Sequence, residues 1–252
     1  MGEQTGIDLG YVEQLYTLGD LRRGPDPGRR LVSVAYLALV RETPPPEGSG
    51  ARWRDWYGFL PWEDFREGRP EALAAVIEPA LAGWADAGGA RDTETRRERL
   101  EIVFGLGSSL RDVERVLERY ELLWEIGFVA EGGGPDEPAV RGEAMALDHR
   151  RIAAQALGRL RGKLRYRPVV FELMPETFTL RALQTVVEAL SGVRLHTQNF
   201  RRLLDRGGLV EPTGRRDTST GGRPAGVYRF RREVLRERPA PGVGLPGLRT
   251  SG

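Results

Sequence analysis

Gln198-Asn199-Phe200-Arg201-Arg202 places four long polar side chains around a single aromatic ring. Wound as an α-helix with Phe200 inward, the stretch turns Gln198, Arg202 and Asp205 most directly outward, flanked by Asn199 and Arg201. Guanidinium and carboxamide groups are the side chains that pair two-pronged with guanine and adenine edges. The chemistry on offer is hydrogen-bond readout of bases rather than bond-making. Arg215, Arg216 and Arg223 fall in an Arg/Thr/Gly-rich loop downstream, suited to phosphates or the minor groove. Lys163, Arg165 and Arg167 form an upstream basic cluster suited to the phosphate backbone. His196 falls on the apolar side near the helix start and reads as a cap or core-edge residue.

These side chains need a scaffold. Thr179 is a plausible N-cap, and Leu180, Leu183, Val187 and Leu190 recur with helical period until Gly192. A second short helix spans about His196–Arg206, with Phe200, Leu203 and Leu204 inward and Gly207-Gly208 ending it. Leu209–Glu211 and Gly226–Arg231 then pair as strands around the Arg-rich loop. Helix, turn, helix and a two-stranded wing make a winged helix-turn-helix. A winged helix used only for protein contact is the bland alternative, disfavoured by the arginine density.

Charge sharpens the assignment. Residues 1–144 carry 17 Lys/Arg against 27 Asp/Glu, and residues 145–238 carry 20 against 9. The small net charge of +2 therefore hides an acidic half and a basic half. Cysteine is absent and there are only two histidines, His149 and His196, which removes disulfides, thiolate nucleophiles and histidine-based zinc sites. No apolar run is long enough to span a membrane and no signal-peptide pattern opens the chain, so a cytoplasmic location with no membrane partner is expected.

Upstream, Tyr11–Leu18 reads as a strand. Leu31–Val40, β-branched and apolar on both faces, reads as a central strand covered on both sides. Trp53–Leu60 reads as a third, aromatic-rich strand. Helical periods cover Glu71–Ala87 (kinked at Pro79), Thr93–Phe104, Leu110–Ile126 and Ala146–Leu164. The stripe Val113, Val116, Leu117, Tyr120, Leu123 and Trp124 is assigned to packing. Gly132–Pro138 reads as a linker. The expected domains are 1–131, a linker at 132–141, a winged-helix domain at 142–236 and a disordered tail at 237–252.

Tyr11–Asp20, Val32–Leu37, Leu160–Val169, Asn199–Arg202 and Gly222–Ala225 resemble the Nudix-related transcriptional regulators of NAD metabolism, the NrtR-like family. Trp53–Tyr57 and Leu117–Glu121 are similar to its alphaproteobacterial branch. The resemblance covers nearly all of the chain. It implies an α+β protein: a partial Nudix-like α/β sensor domain with a helical insertion, followed by a C-terminal winged helix. It further implies a homodimeric repressor on palindromic double-stranded DNA operators of NAD-biosynthesis genes. The implied effector is an NAD-related nucleotide such as ADP-ribose, with no cofactor.

One departure concerns catalysis. Glu3-Gln4-Thr5-Gly6-Ile7 matches only the end of the Nudix box, and Gln4 stands where a glutamate is expected. The resemblance permits an ADP-ribose pyrophosphatase as the alternative. Glu3 alone, however, cannot build the metal site that such chemistry needs, so no enzyme activity is expected. The chain is read as beginning inside the box, through a late start rather than a truncated copy.

Overall fold

The computed structural model describes residues 10–19, 32–45, 48, 50–107, 109–218 and 224–244. Glu3–Ile7 and Arg223 lie outside the described residues. The described residues up to Trp53 and from Leu160 onward form one compact unit, and Arg54–Arg159 form the other.

In the first unit, β1 (Tyr11–Leu18) and β2 (Ser33–Leu39) pair antiparallel, with a register shift between Gln14 and Tyr16. The strand expected at Tyr11–Leu18 is present. The expectation that Leu31–Val40 lies at the centre of a covered sheet is corrected. Among the described residues β2 pairs with β1 alone, and Val34 and Tyr36 are 46% and 47% exposed. β-Branched and aromatic residues among the apolar ones encode an extended backbone, but burial of both faces depends on what else packs there.

The second unit is helical. The third strand expected at Trp53–Leu60 is instead a 3-10 turn over Trp56–Gly58. Asp55 caps it by accepting from the Tyr57 backbone N–H at 3.0 Å, a local bond that competes with extension. Tyr57, Leu60 and Trp62 enter a buried cluster with Leu73, Ile77, Leu81, Leu100, Phe104, Leu122 and Leu123. A wide π turn, Leu73–Ile77, leads into α1 (Glu78–Asp86). There the Glu78 N–H donates to Leu73 O, five residues back, just before Pro79, which has no N–H to give. The irregularity expected at Pro79 is thus absorbed in the preceding turn.

Helix α2 (Ala90–Phe104) begins slightly earlier than its period predicts. Helix α3 is confined to Val116–Glu125, so the helix expected from Leu110 is shorter. Its buried face also differs from the apolar stripe: Arg119 is inside and Trp124 is exposed. The reason is Glu63, which is 1% exposed. It accepts from Arg119 Nε at 2.5 Å and from Arg111 Nη2 at 3.1 Å. Arg119 Nη1 also donates to Val103 O and Asp112 O, so its charge is paired and its donors are used.

The expected linker lies within this unit. A Cβ on Gly132 would come within 2.4 Å of Trp124 O, and one on Gly134 within 2.5 Å of Gly127 O. A one-turn helix, Pro138–Arg141, follows. Helix α4 (His149–Tyr166) comes next, and the division between units falls within it. Arg150 is buried and donates from Nη1 to Arg141 O at 2.8 Å and from Nη2 to Glu131.

The first unit resumes after α4. Val169–Leu173, after the Lys163–Arg167 cluster, is a 3-10 turn. Phe171 stacks on Phe230 with ring centroids 4.3 Å apart. There follow β3 (Phe178–Thr179), α5 (Leu180–Ser191), α6 (Thr197–Gly207), β4 (Val210–Asp217) and β5 (Ala225–Phe230). The sheet order is β3-β5-β4, antiparallel throughout. The segment after Arg236, expected to be disordered, is seated as far as Gly244: Val243 is buried and its N–H donates to Leu164 O at 2.8 Å. No helix among the described residues is long and apolar enough to cross a membrane.

Candidate nucleic-acid interface

The site is built on the turn between α5 and α6. Thr179 is the N-cap of α5, its hydroxyl accepting from the Ala182 N–H at 3.1 Å. Gly192 ends that helix in the left-handed region, φ 72°, a conformation costly for a residue with a Cβ. Two buried or half-buried polar side chains of α5 then hold the turn. Gln184 Nε2 donates to Leu195 O and to Glu188 Oε1, each at 2.8 Å. Glu188 Oε1 accepts from the Leu195 N–H at 2.9 Å. The entry to α6 is therefore hydrogen-bonded to α5 from both its N–H and its C=O.

Glu188→Ala would leave the Leu195 N–H and one Gln184 donor without that partner. The expected loss is about 1–3 kcal/mol of stability, measured by thermal melting followed by circular dichroism. An unchanged melting temperature would show that the turn holds itself.

On α6, Phe200, Leu204 and Gly207 are buried. Gln198, Asn199, Arg201 and Arg202 are all exposed, as the helical wheel placed them. Arg202 Nη2 donates to Asn199 Oδ1, joining two of the four. His196 holds the N-cap position, but its side chain is exposed and makes no capping bond. The expected core-edge placement is corrected: the inward position on this turn goes to Leu195.

The wing differs in detail from its sequence reading. Arg215 and Arg216 lie on β4 itself, not in the loop, because the strand runs on to Asp217. The β4–β5 register shifts between Pro212 and Arg216, around Gly214 at φ 77°. Pro212 cannot donate to the ladder, and β4 is an edge strand where this is tolerated. Thr213 Oγ1 donates to Val227 O at 2.8 Å and steadies the irregularity. Arg215 and Arg216 are both exposed beyond it.

The upstream cluster is divided. Arg165 and Arg167 are exposed at and just beyond the end of α4. Lys163 does not stand with them: its ammonium pairs with Glu13 and donates to the Tyr11 hydroxyl. Burial alone would lower its pKa, but the bonds to Glu13 and Tyr11 outweigh that and raise it. Its charge is therefore spent inside the protein.

The sequence reading passed over Arg194 and Thr197. Both line a shallow depression with Leu195, His196 and Gln198 at the amino end of α6. Backbone N–H groups and the positive end of the helix dipole favour an anion there. The available signal was position: these residues immediately precede or open the second helix.

Residues 170–230 match the family model described as the NrtR DNA-binding winged helix domain. The ADPR responsive transcriptional repressor NtrR of Acinetobacter baylyi is 41% identical over 86 residues, which make up 34% of this chain and 34% of that protein. The match thus spans about a third of the curated relative. Shewanella oneidensis NrtR complexed with a 27mer DNA aligns at 21% identity with a TM-score of 0.46, covering 93% of this chain and 71% of that one. A second structure of Shewanella oneidensis NrtR aligns at 22% identity with a TM-score of 0.44, covering 92% and 70%. The C-terminal part of this α+β chain, over residues 170–230, is a winged helix-turn-helix similar to the NrtR DNA-binding winged helix domain.

Proposed function

We propose that this chain is a sequence-specific DNA-binding repressor of NAD-biosynthesis genes, a cytoplasmic homodimer acting on a palindromic operator. The carrying observation is the exposed row Gln198, Asn199, Arg201 and Arg202 on the second helix of a segment similar to a DNA-binding domain. In this reading α6 enters the major groove, and its row meets base edges. Arg215 and Arg216 on β4, Arg223, and Arg165 and Arg167 at the end of α4 meet phosphates. Lys163 drops out of the contact set because Glu13 neutralises it.

The winged-helix module is proposed to span 142–236, preceded by a linker at 132–141 and a partial Nudix-like sensor at 1–131. The sensor is proposed to be non-enzymatic. The Acinetobacter baylyi relative is named as ADPR-responsive, and ADP-ribose is the effector carried over to this chain.

A gel-shift titration at several salt concentrations tests the contact roles. Replacing Arg215 and Arg216 together with alanine is expected to weaken binding equally on operator and random duplexes. It should flatten the log–log salt slope by about 2. Lys163→Ala should leave that slope unchanged, and a lowered slope would return Lys163 to the interface. ADP-ribose should shift the binding midpoint; no shift across a saturating titration would sink the sensing role.

A further inference from the structure

We infer that Arg202 and Asn199 act as one reading unit for guanine, with Asn199 positioning the arginine rather than recognising adenine. The inference rests on the DNA-binding reading of α6. Three residues apart, the two side chains share one helix face, and both are exposed. The Asn199 carbonyl oxygen accepts from Arg202 Nη2.

That bond changes what each group offers. A carboxamide reads adenine with both of its ends: the oxygen accepts from the adenine amino group and the NH2 donates to N7. Here the oxygen already faces a guanidinium. An adenine amino group would have to share it with a cation whose own hydrogens point to the same place. What the pair shows outward is chiefly donors, the remaining guanidinium N–H groups and the Asn199 NH2, with the second lone pair of the Asn199 oxygen left beside a cation. A donor-rich surface complements tandem acceptors. Guanine N7 and O6 supply them.

Charge supports the same assignment. Arg229 and Arg231, at the far end of the wing, are paired with Glu211 and Glu237. Arg202 has no carboxylate partner among the described residues, so its positive charge is held in place by a neutral group and kept for a ligand. Fixing a flexible guanidinium before binding also reduces the side-chain entropy lost when it docks.

The test is selection of duplexes from a random-sequence library by the full chain, followed by titration of the winning duplex. Wild type, Arg202→Ala, Asn199→Ala and the double variant are compared, with circular dichroism melts confirming that each is folded. Wild type should select a guanine that Arg202→Ala no longer requires. Asn199→Ala should relax that same base-pair step, with no separate adenine position affected. Each single variant should lose roughly 5- to 100-fold in affinity, and the double variant should lose no more than Arg202→Ala alone. Replacing that guanine with 7-deazaguanine, which lacks the N7 acceptor, should weaken wild type and leave Arg202→Ala unaffected. Losses that multiply, an adenine relaxed by Asn199→Ala, or indifference to 7-deazaguanine would overturn the inference while leaving DNA binding intact. Failure of wild type to enrich any sequence would overturn the DNA-binding reading itself, and this inference with it.

Discussion

Glu63→Ala is expected to destabilise the helical unit by about 3–5 kcal/mol, because it strands two buried guanidinium groups. Arg111 and Arg119 are both almost fully buried and both donate to Glu63. Arg119 Nε loses its acceptor and Nη2 keeps only the long bond to Val113 O at 3.5 Å, while Nη1 stays tied to Val103 O and Asp112 O, so the side chain cannot swing out to water without breaking those bonds too. Urea unfolding followed by tryptophan fluorescence, to which the buried Trp62 contributes along with the other four tryptophans, measures the loss. Glu63→Ala combined with Arg119→Ala should cost less than the two single losses added, since Glu63→Ala leaves Arg119 as a buried charge without its carboxylate and the double removes that charge. Strict additivity, or a loss below about 1 kcal/mol for Glu63→Ala, would show that water reaches these arginines.

Phe200→Ala is expected to cost about 3–5 kcal/mol and to abolish DNA binding by undocking α6. Phe200 is 1% exposed and sits between the exposed pairs Gln198-Asn199 and Arg201-Arg202. Removing the ring leaves a void under the centre of the proposed reading face, while every group proposed to contact bases remains in the chain. Gln198→Ala is the control: its side chain is exposed, so melting should move little even where DNA affinity falls. A Phe200→Ala protein that melts like wild type and still shifts DNA would place the anchor of α6 elsewhere, on Leu204 and Gly207.

The contrast between these two sites shows what was legible in the residues. Phe200 and its polar neighbours could be placed on opposite faces from the sequence, because the helical period relates residues only a few positions apart. The same locality made Thr179 readable as a cap and Gly192 and Gly208 as helix ends. Glu63 was not legible. Its partners lie about 50 positions downstream, and a charged residue carries no local mark of burial. Arg119 accordingly looked like part of the polar face of α3, and Trp124 like part of the apolar one.

The sequence alone determined the basic C-terminal half, the winged order of helix, turn, helix and paired strands, and the outward row on the second helix. Each is set by composition or by spacing within a single element. Tertiary structure decided which charges remain available. It gave Lys163 to Glu13, and Arg215 and Arg216 to a strand rather than a loop. It also left β2 with one neighbour among the described residues. Side-chain pairing and strand neighbours depend on groups brought together by folding; periodicity within a segment does not record them.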